Sequence, residues 1–178
     1  MAVRVYLGVG SNLNRENALR FAKAELEKLF TANYQVSSVW ASNAVRAAEP
    51  GYYNMVVGGD VEMSLDDLFK AITAIEDAAG SEPMIYNGTN FGVKRRLDVD
   101  ILVYGETVTT KPCKLPRHDI QDYPFVLCPL CELNPDLVHP LLKLKAGDIW
   151  KEMEPRLPER MKISRVNLDL DVKANFNN

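Results

Sequence analysis

"RRLDVDILVYG", residues 95–105, sets two arginines directly before two aspartates and then continues as an apolar run. Side chains of a strand alternate between faces. Leu97, Val99, Ile101 and Val103 are therefore expected on one face, and Asp98, Asp100, Leu102 and Tyr104 on the other. Two carboxylates one pleat repeat apart repel each other unless something positive sits between them. The pair is either a solvated strand end or a divalent metal site, and the neighbouring segments decide what each face meets.

Residues 3–10, "VRVYLGVG", alternate and are rich in β-branched side chains, which predicts a strand ending at glycines. A loop and helix follow over 11–30, with Ser11, Asn12 and Asn14 as possible caps and an apolar stripe of Leu19, Ala22, Leu26, Leu29 and Phe30. Strands are expected over 34–42 and 52–63, the latter bulged at Gly58-Gly59. The best-marked helix is capped by Ser64, lined by Leu65, Leu68, Phe69, Ile72 and Ile75, and stopped by Gly80. Residues 81–94 show no clear period and are expected to form a long loop that closes as a lid. The strand 96–104 comes next. The order β-α-β-β-α-β predicts an α+β, ferredoxin-like antiparallel sheet with both helices on one face and the other face open for a ligand. Beyond it, 106–110 is expected as a short strand, 123–133 as a strand end and turns broken by prolines, 146–153 as a short helix, and 159–172 as one late strand. One domain over 1–155, with a C-terminal extension over 156–178 packed on it or trailing from it, accommodates all of these segments.

Bulk properties narrow the function classes. A chain of 178 residues with 47% apolar and 25% charged residues suits one globular domain. The net charge of −3 argues against general nucleic-acid or membrane-surface binding, so an anionic ligand would need a local cluster of cations. No apolar run approaches the roughly 20 residues of a membrane span, and the N-terminus enters a strand pattern at once; a cytoplasmic setting is expected. Cys113, Cys128 and Cys131 are too few for a disulfide framework, and "CPLC" lacks the second pair that zinc would need. The glycines of "GVGSN" do not form a P-loop and suit a tight strand-to-helix turn. His139 in "LVHP" is read as structural.

A D-x-D spacing alone is weak, and "NLDLDV" repeats it with Asp169 and Asp171. That second pair lacks a basic flank and a long apolar continuation, so it reads as solvated. The first pair has Lys94, Arg95 and Arg96 beside it. Metal-bound polyphosphate needs that mixture, because carboxylates hold Mg²⁺ by a few oxygens, phosphate and water complete the octahedron, and cations neutralise the remaining charge.

"LGVGSNL", "YYNMVV", "RRLDVDILVYG" and "PFVLCPLCELNPDLVHP", in this order, resemble the 6-hydroxymethyl-7,8-dihydropterin pyrophosphokinase family of folate biosynthesis over residues 3 to 152. The resemblance implies the ferredoxin-like core and transfer of pyrophosphate from ATP to the hydroxymethyl group of the dihydropterin, with two Mg²⁺ ions. By it, Asp98 and Asp100 are the metal ligands. Asn54 bonds the pterin edge, Phe125 stacks on its ring, and Ser42, Ala44 and Val45 line its pocket. Arg95 contacts phosphate, with Lys94, Arg96 and Glu76 on the nucleotide side. Arg95, Arg117 and His118 are the candidates for assisting transfer. Expected partners are the two small substrates, and the expected state is a monomer or weak homodimer. Residue by residue, Phe125 could instead be an ordinary core aromatic, Asn54 a sheet-edge residue and Glu76 a solvated helix position.

The chain departs from the family pattern at its cations. Ser81 and Pro83 stand where an R-x-R pair is usual, "GVKR" replaces "GPR", and in "PRHDIQDY" Arg117 takes a histidine's place, Asp119 an arginine's and Tyr123 another arginine's. Three functions fit: a divergent active pyrophosphokinase; a paralogue that binds pterin-like or nucleotide ligands but transfers slowly or to another acceptor; and a non-enzymatic ferredoxin-like interaction module. The last should have lost its pocket, yet Asn54, Phe125 and both aspartates are present.

Overall fold

Strand-forming runs and two amphipathic helices assemble here into a sheet with helical cover. The structure, a computed structural model, describes residues 1–43 and 50–177. The elements are β1 (Val3–Ser11), α1 (Arg15–Glu27), β2 (Ala32–Val36), β3 (Val39–Ser42), β4 (Tyr52–Val61), α2 (Leu65–Ala79), β5 (Ser81–Tyr86), β6 (Thr89–Arg95), β7 (Asp98–Tyr104), α3 (Asp119–Asp122), α4 (Pro124–Leu133), α5 (Ala146–Met153) and β8 (Ser164–Val166). The main sheet runs β7-β1-β4-β3-β8, with β2 also on β4, and every pairing in it is antiparallel. This is the ferredoxin-like plan, with its first and third strands central.

One face is packed as the sequence pattern demands. Leu19, Ala22 and Leu26 of α1 and Leu68, Ile72, Ile75 and Ala79 of α2 meet Val5, Leu7, Val9, Met55, Val57, Val99 and Ile101 in one core cluster. Ser64 caps α2 by accepting the Asp67 amide at 3.1 Å, and Gly80 follows its last turn with φ 82°. The opposite face, expected open, is half covered. Tyr6, Val56, Leu102 and Val103 are apolar there and are buried under Ile120, Val126, Leu127 and Leu130 of α3 and α4 and Ala146 of α5. Among the described residues, the end that carries glycines and polar side chains is left clear.

Several segments differ from the sequence expectation, each for a physical reason. Residues 81–95 form a β-hairpin, not a loop: Asn87 (φ 48°) and Gly88 (φ 76°) make the two-residue turn that an Asn-Gly pair favours between strands. Residues 124–133 are helical. Pro124 sits in the first turn, where no amide hydrogen bond is lost, and Pro129 is tolerated in the interior of α4. The expected strand over 34–42 is split into β2 and β3, and Ser37 fills the break by accepting the Val56 amide at 2.9 Å and donating to the Ser38 carbonyl at 2.8 Å. The irregularity near Gly58-Gly59 lies in β2, where register slips between Ala32 and Gln35, while β4 runs unbroken against β1. Residues 106–110 form no strand, only a single bridge from Thr109 to Leu115. The late strand is confined to β8, and residues 167–172 are irregular.

A slip between β1 and β7 at Tyr6/Leu7 makes Leu102 an extra residue. Val103 therefore joins Leu102 beneath α4, and Tyr104 turns to the α1/α2 side, where its hydroxyl donates to the Met63 carbonyl at 2.9 Å. Those two residues exchange the faces that strict alternation assigns; Asp98 and Asp100 keep theirs. The last residues run along α1, with Phe176 edge-on to Phe21 at 5.7 Å and beneath the Arg96 guanidinium at 5.0 Å. Among the described residues no helix is long and apolar enough to cross a membrane.

Gly58 makes room for Tyr6: a Cβ there would lie 2.5 Å from the ring. Tyr6 is fully buried, so the ring has nowhere to retreat. Gly58→Ala is expected to destabilise the fold by about 1–3 kcal/mol, read as a lower urea midpoint at unchanged slope.

Candidate functional site

The clear end of the sheet opens into a cavity of about 510 Å³. Its floor comes from alternate residues of three strands: Gly8 and Gly10 of β1, Asn54 of β4, and Asp98 and Asp100 of β7. Register places Asp100 beside Gly8 and Asp98 beside Gly10. A Cβ at Gly8 would come within 3.3 Å of Leu102, and one at Gly10 within 3.2 Å of Asn54 Oδ1, so glycine keeps this floor low. A larger groove of about 610 Å³ runs between α1 and the tail. It is a packing seam whose Lys23 is ion-paired with Asp171 and whose Arg20 donates to the Asp169 carbonyl.

One end of the cavity is acidic. Asp98 is exposed at its mouth and Asp100 is partly buried. Glu76 reaches over from α2; its Oε1 accepts the Val99 amide at 2.8 Å and its Oε2 meets Arg95 at 2.9 Å. Loss of solvent pushes the carboxyls of Glu76, Asp98 and Asp100 above their ordinary range. Arg95 and Lys94 oppose the shift at Asp98, and Arg117 opposes it at Asp100, where Asp119 and Asp98 add to it. Burial thus disfavours the charged form of all three even with these cations nearby, a cost that a bound cation would offset.

The donor set fits a hard divalent ion in a particular way. Among the described residues no group of three His, Cys, Asp or Glu side chains could hold a metal alone. Asp98 and Asp100 face one cavity, and the cations acting on Asp98 are Arg95 and Lys94. Two carboxylates leave most of an octahedron to water and ligand oxygens, as Mg²⁺ with a polyphosphate requires.

The cations divide. Arg117 lines the cavity and bridges Asp100 (3.3 Å) and Asp119 (3.1 Å). Arg95 and Lys94 are not among the lining residues: Arg95 sits on Glu76 and Asp77, and the Lys94 ammonium lies 5.7 Å from the Tyr52 ring centre. Arg96 is turned away, bound to Glu82, the Ala79 carbonyl and the Phe176 ring. His118 is not among the lining residues; its imidazole pairs with Asp122 and lies 3.3 Å from Gln121.

The other end is neutral. Asn54 is buried, and its Nδ2 donates to Ser42 Oγ at 2.9 Å and to the Trp40 carbonyl at 3.4 Å, which secures the side chain beside the cavity. Phe125 forms part of the wall and stacks on Tyr123 at 5.0 Å and 22°. Ala44 and Val45 lie outside the described residues. Tyr52 also lines the cavity and was absent from the expected set. Its spacing of two from Asn54 on a strand was the available signal. Tyr123 and Asp119, known from sequence only as departures, both line the wall.

The family model described as 7,8-dihydro-6-hydroxymethylpterin-pyrophosphokinase (HPPK) matches residues 6–135. A 2-amino-4-hydroxy-6-hydroxymethyldihydropteridine pyrophosphokinase of Pseudomonas aeruginosa is 35% identical over 141 residues, covering 77% of this chain and 84% of its own length. A protein of the same name from Aquifex aeolicus is 29% identical over 143 residues, covering 78% and 85%. Among solved structures, a Plasmodium falciparum HPPK-DHPS triple mutant with pteroate superposes with a TM-score of 0.68 at 11% identity, over 93% of this chain. The present chain spans 47% of that longer one, and the likeness concerns the fold.

The crowded carboxylates have a consequence for stability. A carboxyl raised in the folded state binds its proton more tightly there than in the unfolded chain. Its favourable contribution is complete below the unfolded value, about pH 4, and is lost as pH rises through the folded value. Asp98→Asn is therefore expected to raise the melting temperature of the metal-free protein at pH 7, by no more than roughly 2 °C because Asp98 is exposed and screened. The gain should shrink toward pH 4. Mg²⁺ should stabilise the wild type and not Asp98→Asn; a variant that melts lower at pH 7 without metal contradicts the charge argument.

Proposed function

Because the chain belongs to the 7,8-dihydro-6-hydroxymethylpterin-pyrophosphokinase family, we propose that this cavity transfers pyrophosphate from ATP to the hydroxymethyl group of 6-hydroxymethyl-7,8-dihydropterin and releases AMP. The observation that carries this reading is the cavity's polarity: carboxylates at one end, a buried amide and an aromatic wall at the other, within the size range of small-molecule sites. In the reaction the pterin hydroxyl oxygen bonds to the β-phosphorus, the bridge oxygen between α- and β-phosphorus leaves with AMP, and the hydroxyl proton is lost to water.

This chain's residues divide the work. The Asn54 amide, held by Ser42, meets the hydrogen-bonding edge of the pterin, and Phe125, backed by Tyr123, offers its ring face. Asp98 and Asp100 would hold Mg²⁺, two ions by family resemblance, and when bound the metal supplies charge neutralisation at the phosphates. Arg117 and, from β6, Lys94 and Arg95 supply the protein's own positive charge. Glu76 fixes β7 against α2, so the aspartates do not drift apart. Both substrates are small and polar, which suits a cytoplasmic enzyme.

One observation favours the second reading, a binding paralogue with slow transfer. Among the described residues Arg117 is the one guanidinium lining the cavity, while Asp119 and Tyr123 stand where the family pattern has arginines. Phosphoryl-type transfer loses orders of magnitude when a charge-neutralising arginine is missing.

AMP formation from ATP should require both the dihydropterin and Mg²⁺, and Asp100→Asn should abolish it. Asn54→Ala is expected to weaken pterin binding by about 1–3 kcal/mol with ATP binding retained, and Phe125→Ala to act in the same direction. Titration calorimetry measures both ligands. AMP at background between pH 6 and 9, with both ligands bound, leaves the binding paralogue.

A further inference from the structure

Arg117 grips a carboxylate that the proposed function gives to a metal. Its backbone amide donates to the Leu102 carbonyl at 2.8 Å, so its side chain starts beside β7. From there Nη2 lies 3.3 Å from Asp100 Oδ2, and Nε lies 3.1 Å from Asp119 Oδ2. Asp119 opens α3 and lines the cavity as well. The guanidinium is about one-third exposed, which leaves it room to swing.

We infer that Arg117 is an internal stand-in for the divalent cation: held on Asp100 with Asp119 as its second anchor, it competes with a bare cation and leaves Asp100 when cation and polyphosphate arrive together. This rests on the assignment of Asp98 and Asp100 as cation ligands. The physical ground is simple. A guanidinium and a divalent ion on the same oxygen repel each other, so one must go. A bare cation must displace Arg117 from an ion pair and gives it nothing in return. A cation carrying polyphosphate brings new oxygens with which a planar guanidinium pairs well, so the displaced arginine gains a partner. Asp119 keeps the side chain at the cavity wall during the exchange. Its acidic character, where the family pattern has an arginine, then has a use: it positions Arg117. Cation and nucleotide should bind synergistically, with Arg117 as the physical link between them.

The test is binding, with no turnover. Mn²⁺ binding to the full chain is measured by electron paramagnetic resonance, alone and with a non-hydrolysable ATP analogue, for wild type, Arg117→Gln and Arg117→Lys. Arg117→Gln should bind bare Mn²⁺ more tightly by roughly two- to fivefold, the scale of a partly exposed ion pair, and should bind Mn²⁺ with the analogue less tightly than wild type. Arg117→Lys keeps the charge but cannot span both carboxylates, so its bare-ion affinity should fall between the two. Unchanged or weaker bare-ion binding in Arg117→Gln overturns the inference, and so does Arg117→Lys behaving as wild type, since a distant field would then explain the effect. A structural role alone would weaken both measurements together. Failure of AMP formation bears on the proposed reaction and leaves these affinities independent of it.

Discussion

Glu76 of α2 accepts the amide proton of Val99 at 2.8 Å, between the two aspartates of β7. β7 lies at the edge of the sheet, so this amide faces away from β1 and would otherwise have to be satisfied by water. Satisfying it with a carboxylate welds helix to strand at the point where Asp98 and Asp100 face the cavity. It also adds a third negative charge to that end. Arg95 answers part of it, yet burial leaves all three carboxyls raised, and neighbouring carboxylates add to the shift at Glu76 and Asp100. The contact that holds the site in shape is thus also one source of its demand for positive charge.

The cavity exists because one sheet face is used in two ways. Where β1, β4 and β7 carry Tyr6, Val56 and Leu102, helices α3 to α5 bury them. Where the same strands carry Gly8, Gly10, Asn54, Asp98 and Asp100, no apolar surface rewards burial and the face stays clear. The change from one use to the other takes place within a single strand. The slip at Leu102 sharpens it, because both Leu102 and Val103 are then delivered to the helical cover.

The wall beside β7 carries the positions read from sequence as departures from the family pattern. Arg117 and Asp119 form a charge pair against Asp100, and Tyr123 extends the aromatic surface of Phe125. Those residues act together: an arginine, an anchor for it, and a ring stacked on Phe125.

Local sequence signals suffice for the helical side of the sheet. Apolar spacing in α1 and α2, the Ser64 cap and the Gly80 stop are local facts, and tertiary packing left them in place except at Phe69, which is exposed. Alternation also put Asp98 and Asp100 together, because a two-residue period is a property of any strand. The hairpin at 81–95 was legible too, through Asn87-Gly88, but polar composition hid it. Other features depend on contacts between segments far apart in the chain. Pro124 and Pro129 read as breakers until α4 is seen capping buried Tyr6 and Val56, where the gain in burial outweighs a lost backbone bond. Alternation could not find the exchange of Val103 and Tyr104, since the slip belongs to the pairing of two strands. Which cations reach the cavity depended on competition among carboxylates both near and distant in sequence. Glu82 and Phe176 draw Arg96 away, Asp122 holds His118, and Asp100 draws Arg117 in. Long charged side chains go where their partners are, and only the folded chain says where that is.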